Sequence, residues 1–142
     1  MPLAPQAGIE SEMHFMSRCF DIHVFCLQGE LGGERFARHW YDLVQLNKAG
    51  IVDAALKDRN LANSVAAHKS VFFPEKDASG TVIDYAAAVT GGLKLVPMGE
   101  GRVILAADYR KMLDDGLLPD GSETFDKVLT RCADIEARAN KP

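Results

Sequence analysis

Apolar residues recur at helical spacing along most of this chain, and the pattern predicts a mainly α-helical fold. The clearest segment spans 34–47 and stops near Gly50. Its apolar positions form one narrow stripe, which consists of Phe36, Trp40, Leu43 and Val44. Its charged positions gather on a different side and comprise Arg35, Arg38, His39 and Asp42. This helix therefore presents a core-facing stripe and a separate face that concentrates cations beside one carboxylate.

Five further segments show similar periodicity. They are predicted as helices over 11–28, 51–57, 60–73, 102–115 and from Ser122 onwards, with N-terminal caps at Ser11, Asn60 and Ser122. The first of them is apolar on two sides, which is typical of a central, largely buried helix. Because the connections are short, the sequence predicts a single compact domain of about five to seven helices in a bundle-like packing.

Two regions lack clear periodicity. Residues 1–10 contain two prolines and a glycine, and they are predicted to form an irregular or disordered tail before a helical domain over 11–142. Within 75–100, the segment 84–89 is compatible with a helical turn, and 91–97 alternates weakly, as a short strand or hairpin does. A connection of this length is expected either to hold structure of its own or to serve a function.

Composition and charge narrow the class of protein. The chain has 142 residues, of which 47% are hydrophobic and 25% charged, as in ordinary soluble globular proteins. A net charge of −4 argues against a general nucleic-acid binder but leaves room for a local basic patch. No apolar run reaches the length of a membrane span, and the N-terminus lacks the pattern of a secretory signal.

The cysteines point to a reducing compartment. Their odd number and the lack of a secretory signal predict buried free thiols in the cytoplasm, at Cys19, Cys26 and Cys132. The absence of a C-x-x-C motif argues against a zinc site. No metal site is predicted either, because no recognised metal-ligand spacing relates His14, His23, His39 and Asp21.

Asp42 and the cations around it are the main candidates for chemistry. Asp42 follows Arg38 by four residues, a spacing at which helical side chains touch. One interpretation is an ordinary salt bridge, which is worth little by itself. The other is a general base or metal-side carboxylate next to bound phosphate, with the arginines as anion clamps. Lys69 either extends along the protein surface to solvent or reaches the same pocket as Arg38.

Six short segments follow one another in an order that is informative as a set. They are Phe15 to Cys26, Arg35-x-x-Arg38-His39-x-Tyr41-Asp42-Leu43, His68-Lys69-Ser70-x-Phe72-Phe73, Leu93-x-Leu95-Val96-Pro97, Asp108-Tyr109-x-x-Met112 and Ile135-Glu136-Ala137-Arg138. In this order they resemble the C-terminal half of the AbiEii/AbiGii toxin family of nucleotidyltransferases, over nearly all of 14–139.

The resemblance implies a role in abortive infection or a toxin–antitoxin system, with an antitoxin as a possible partner. In that family the helical half contributes an aspartate and a lysine to the active site. The aspartate corresponds to Asp42, and the position of the lysine falls on Arg18. The remaining residues that the resemblance places in a nucleotide or RNA pocket are Arg35, Arg38 and Lys69.

Two departures from the family argue against activity of this chain alone. The N-terminal catalytic core, with the paired carboxylates that hold Mg²⁺ and the nucleoside triphosphate, has no counterpart before residue 14. Arg18 replaces the lysine, and an arginine binds phosphate but does not act as a deprotonated base. The chain is therefore expected to be a truncated member that meets Mg²⁺ and nucleotide only if a separate catalytic half is supplied.

The alternative is a non-catalytic interaction or regulatory module. A helical domain without its partner half is expected to expose apolar surface, which a homodimer buries most simply. The predicted interface is the helix over 11–28, with Phe15 and Phe20 as its candidate residues.

Overall fold

The computed structural model describes residues 3–29, 36–119 and 121–141. Seven helices and no strand occur in these residues. The helices are α1 (Leu3–Gln28), α2 (Arg38–Lys48), α3 (Ile51–Lys57), α4 (Arg59–Phe72), α5 (Tyr85–Ala88), α6 (Gly99–Asp114) and α7 (Phe125–Ala139). The predicted mainly α fold of five to seven helices is confirmed. Within the same residues, no helix combines the length and the apolar character that crossing a bilayer requires.

The longest helix, α1, lies at the centre of the fold. It packs against α2, α3, α4 and α5, which explains why its sequence is apolar on two sides. Its start differs from the prediction, because the helix begins at Leu3 and Ser11 lies inside it. The irregular tail predicted for 1–10 is therefore wrong for residues 3–10. Pro5 does not prevent this start, since a proline in the first helical turn lacks only an N–H that would have no helical partner.

The two phenylalanines predicted to form a dimer interface lie in the core instead. Phe15 and Phe20 are completely or almost completely buried, and the Phe20 ring packs edge-on against Tyr85 of α5 at 5.6 Å between centroids. Both side chains therefore have no surface to offer a second chain, and the prediction is wrong for these residues. The homodimer itself stays a prediction.

The observed helix caps also differ from the predicted ones. α4 is capped by Asp58, whose carboxylate accepts a hydrogen bond from the Leu61 backbone N–H at 3.0 Å, and Asn60 lies within the helix. α7 is capped by Thr124 rather than Ser122. Aspartate, asparagine, serine and threonine all make good caps, so two such residues close together leave the choice to the tertiary path of the chain.

The segment 93–95 alternates buried and exposed side chains, but it does not form the strand predicted for 91–97. Leu93 and Leu95 are buried, and Lys94 between them is exposed. Its backbone hydrogen bonds are made by side chains from α1, α2, α7 and the residue after α7, and not by a second strand. The Asn140 side chain accepts a hydrogen bond from the Leu93 N–H and donates one to the Leu93 carbonyl. His23 accepts from the Lys94 N–H, and Glu136 accepts from the Leu95 N–H. Trp40 donates to the Leu95 carbonyl.

Elsewhere in the connection between α4 and α6, the pairing is minimal. One isolated antiparallel bridge joins Lys76 and Val82, so the hairpin predicted within 75–100 is reduced to this single pair among the described residues. The helical turn predicted for 84–89 is present as α5. Tyr85 of α5 is buried, and its hydroxyl donates to the Phe73 carbonyl at 2.8 Å. This contact holds the connection against the end of α4.

The three cysteines are free thiols. Cys19 and Cys132 are buried, and Cys26 is half-buried. Burial raises the pKa of Cys26 and of Cys132 to about 12. These thiols therefore stay protonated near neutral pH and act as small apolar packing groups.

Candidate functional site

Three helices bring the predicted site residues together. Arg18 lies on α1, Arg38 and Asp42 lie on α2, and Lys69 lies on α4. Arg35, the remaining predicted residue, lies outside the described residues. The group formed here is called the ion-pair cluster, and it consists of Arg18, Asp21, Arg38, His39, Asp42 and Lys69.

Arg18 is the centre of the ion-pair cluster. One of its terminal nitrogens, Nη2, lies 3.6 Å from Oδ2 of Asp42. The other, Nη1, lies 3.9 Å from Oδ2 of Asp21 and donates a short 2.6 Å hydrogen bond to Nδ1 of His39. Its Nε is buried and has no hydrogen-bond partner among the described residues. Arg18 thus joins α1 to α2 and still holds donors that are uncommitted or loosely paired.

His39 is a neutral acceptor in this arrangement. Its Nδ1 carries a lone pair toward Arg18, which requires the proton to be on Nε2. Burial, and after it the positive charge of Arg18, holds the pKa of His39 below its ordinary value, against the opposing effect of Asp21 and Asp42. The ring also packs edge-on against Phe36, with 4.5 Å between centroids. His39 therefore adds no positive charge near neutral pH.

Lys69 and Arg38 complete the cluster from its two sides. Nζ of Lys69 lies 3.5 Å from Oδ1 of Asp21 and 5.0 Å from the centroid of the Phe73 ring. It therefore reaches the ion-pair cluster through Asp21 instead of extending into solvent, but Arg38 does not line the cavity to which Lys69 contributes. Nε of Arg38 lies 3.7 Å from Oδ1 of Asp42, and the Arg38 side chain is 56% exposed. Arg38 is thus the cation most open to solvent.

The cluster carries one positive charge in excess, because three permanent cations face two carboxylates. Its ion pairs measure 3.5 to 3.9 Å, whereas charge-assisted hydrogen bonds are typically about 2.7–2.9 Å. The cations are therefore held near the carboxylates without being saturated by them. The arrangement favours an additional anion, although the same pairs also tie three helices together.

An aromatic cavity of about 250 Å³ adjoins the cluster. Its polar lining includes Asp21, His39 and Lys69, which are shared with the cluster, and Glu75. Its aromatic walls come from Phe20, Phe25, Phe36, Phe73 and Tyr85. Phe20, Phe25 and Tyr85 are almost completely buried, so Phe36 and Phe73 are the rings that offer an accessible face. Ligand pockets usually measure about 300–1,000 Å³, so this one is suited to a group the size of a single ring system.

The role of Asp21 and the aromatic walls were not predicted from the sequence. Asp21 was considered only as a metal ligand beside His23, and in the structure these two side chains have separate environments. His23 accepts a hydrogen bond from the Lys94 N–H, whereas Asp21 faces Arg18 and Lys69. The spacing of Arg18 and Asp21, three residues apart on one helix, was the available signal. Across the described ranges, no group of three or more His, Cys, Asp and Glu side chains is placed to hold a metal ion.

The ion-pair cluster and the cavity share Asp21, His39 and Lys69, whereas Arg18 and Arg38 belong to the cluster and do not line the cavity. Comparison with known proteins adds no relative to this picture. No family model, no curated protein and no solved structure matches the chain, so its resemblance to the AbiEii/AbiGii family stays a prediction from the sequence.

Proposed function

We propose that the chain binds a nucleotide at this site, with a ring of the ligand in the aromatic cavity and its phosphates on Arg18, Arg38 and Lys69. The observation that carries the proposal is that a cluster of three cations, from three helices, adjoins a cavity with aromatic walls through the shared residues Asp21, His39 and Lys69. Guanidinium groups bind phosphate through paired hydrogen bonds, and aromatic faces stack on nucleobases. The two features together fit both halves of a nucleotide.

Binding of phosphate requires the cations to exchange partners. Asp21 and Asp42 occupy them in the unliganded protein, and a ligand phosphate competes with these carboxylates. The competition is favoured by the excess positive charge and by the long ion pairs, which give up little attraction when they open. Arg38 is expected to exchange first because it is the most exposed member.

The resemblance found in the sequence extends this proposal to a biological role. We propose that the chain is the helical part of a nucleotidyltransferase-type toxin, with an antitoxin and a separate catalytic half as partners in the cytoplasm. In that role Asp42 is the carboxylate nearest the phosphates. Mg²⁺ does not fit the residues present, because Asp21 and Asp42 both face Arg18. No metal-dependent step is therefore assigned to this chain.

Calorimetric titration with ATP, GTP, CTP and UTP tests the nucleotide site. We expect saturable binding of at least one nucleotide, weakened about tenfold by Arg38→Gln and by Lys69→Gln, since each removes one phosphate contact. Arg110→Gln is the matched control, because Arg110 lies in an exposed pair with Asp114 on α6. Failure of all four nucleotides to bind the folded protein would overturn the proposal.

A second variant in the same experiment separates a site from a structural ion pair. Asp42→Asn removes the competing charge, so we expect nucleotide affinity to rise and the free energy of unfolding to fall by no more than about 1 kcal/mol. The Asp42 side chain is 21% exposed and its ion pairs are long, which limits its structural value. A loss of several kcal/mol together with unchanged affinity would mean that the cluster is purely structural.

A homodimer is the second candidate function, and exposed apolar side chains at the end of α4 favour it. Val71, Phe72 and Phe73 are consecutive and are 69%, 66% and 53% exposed. Contiguous exposed apolar residues of this size often mark a surface of association. They adjoin the aromatic cavity through Phe73, and they take the place of Phe15 and Phe20 as candidate interface residues.

Sedimentation velocity over a wide concentration range checks the homodimer. We expect a reversible dimer that Val71→Ser combined with Phe72→Ser converts to a monomer, because both substitutions remove apolar contact area. Val103→Ser is a matched control, since Val103 on α6 is also 69% exposed. A concentration-independent monomer of the unaltered chain would refute the dimer.

A further inference from the structure

A second cleft is separate from the aromatic cavity and shares no lining residue with it. It has a volume of about 460 Å³ and lies between the start of α4, the turn after α5 and the end of α7. This basic cleft is defined here by Arg59, Val89, Thr90, Arg138, Asn140 and Lys141. Its volume is within the usual range of about 300–1,000 Å³ for small-molecule sites.

The charge in the basic cleft is of one sign. Three basic residues line it and no acidic residue does, although the whole chain has a net charge of −4. Arg138 is already engaged, because its Nη1 lies 3.0 Å from Oδ1 of Asp53 and its Nε lies 3.1 Å from Oδ2 of Asp134. Arg59 and Lys141 have no ion pair within the described part of the chain. Among the described residues, these two positive charges therefore have no carboxylate partner.

Hydrogen bonds anchor the backbone on two sides of the basic cleft. The Arg59 guanidinium donates a hydrogen bond to the Val89 carbonyl, which joins α4 to the turn after α5. Asn140 exchanges two 2.9 Å hydrogen bonds with the backbone of Leu93. These contacts reduce the backbone share of the ordering cost that a ligand has to meet, and the exposed side chains of Arg59 and Lys141 account for the rest.

We infer that the basic cleft binds a phosphomonoester. A phosphomonoester carries close to two negative charges near neutral pH, which matches the charges of Arg59 and Lys141. The apolar side chains of Leu56 and Val89 line the same cleft and provide a surface for the carbon portion of the ester. This inference is independent of the nucleotide site, since the two cavities use different residues.

Nuclear magnetic resonance titration with glycerol 3-phosphate at constant ionic strength tests the inference. We expect saturable shifts of the backbone amides over 89–91 and 138–141. Arg59→Gln and Lys141→Gln are each expected to weaken binding about tenfold, and Arg59→Lys, which keeps the charge, is expected to weaken it less. Lys127→Gln is the matched control, because it removes the same charge from the exposed start of α7.

Several outcomes would overturn the inference. Shifts that do not saturate, or an equal loss of affinity in Lys127→Gln, would mean non-specific charge attraction. Equal affinity for hexanoate would contradict the phosphate class. Binding that is lost in Lys69→Gln but kept in Arg59→Gln would place the phosphate at the ion-pair cluster instead, and so would favour the nucleotide proposal over this one.

A last arm distinguishes two sources of the phosphomonoester. Flotation with vesicles that contain phosphatidic acid presents the group on a lipid, and glycerol 3-phosphate presents it in solution. Vesicle binding that depends on Arg59 and Lys141 supports a lipid headgroup as the ligand. Binding of glycerol 3-phosphate without vesicle binding supports a small soluble ester.

Discussion

Replacement of Trp40 by alanine is expected to lower the free energy of unfolding by about 4 kcal/mol, which is a large share of the stability of a domain this size. Trp40 is fully buried, and its ring packs edge-on against Phe25 at 5.4 Å between centroids. Its Nε1–H donates to the Leu95 carbonyl at 2.9 Å. Denaturation in guanidinium, followed by circular dichroism because the chain has only one tryptophan, measures the loss.

Trp40→Phe separates the packing from the hydrogen bond. It keeps an apolar ring in the core but leaves the buried Leu95 carbonyl without its donor, so we expect a loss of about 1–3 kcal/mol. The two substitutions should therefore differ clearly. If Trp40→Phe matched the unaltered protein, the hydrogen bond to Leu95 would contribute nothing, and the proposed anchoring of segment 93–95 by α2 would be wrong.

Acidification from about pH 6.5 to pH 4 is expected to remove up to about 3 kcal/mol of stability through His23 alone. The side chain is 4% exposed, and burial, aided by the charge of Lys94, lowers the pKa of His23 from 6.5 to about 4. Between these two values the unfolded chain binds a proton at this position and the folded chain does not. Stability therefore rises with pH across this window and is complete above it.

Thermal or chemical unfolding of the unaltered protein and of His23→Asn, measured from pH 4 to pH 7, checks this prediction. The asparagine carbonyl can accept the hydrogen bond that Nδ1 of His23 accepts from the Lys94 N–H, and it does not titrate. We expect the variant to lose less stability on acidification. His39, whose pKa is also lowered, contributes a remaining slope of the same sign. Parallel curves for the two proteins would contradict the assignment to His23.

The number and type of the helices were predictable because their signal is local. Apolar residues three or four apart are close on any helix, and α3 was predicted with its observed bounds, Ile51–Lys57. The exact caps were not predictable from local pattern alone. Asp58 and Asn60 are equally suitable by type, and only the path of the chain selects Asp58.

The site was predictable only in part. The pair of Arg38 and Asp42 follows from their spacing on one helix. The contacts of Asp21 with Lys69 and of Arg18 with His39 cross 48 and 21 residues of sequence, so no local pattern contains them. The resemblance to a known family suggested Arg18, but it gave no indication of Asp21. The aromatic cavity was not visible either, because Tyr85 lies in a region whose pattern predicted little structure.

The segment 93–95 implies an order of assembly for this helical chain. Its hydrogen bonds reach side chains 41 to 71 residues away, on helices α1, α2 and α7. Helices form early from neighbouring residues, whereas contacts across such distances must first overcome the entropy of closing long loops. We therefore expect the segment to become ordered only after the three helices have met. Although the helices are built from local contacts, we expect the last step of folding to depend on contacts between residues far apart in sequence. Contacts of this kind usually slow the folding of β proteins.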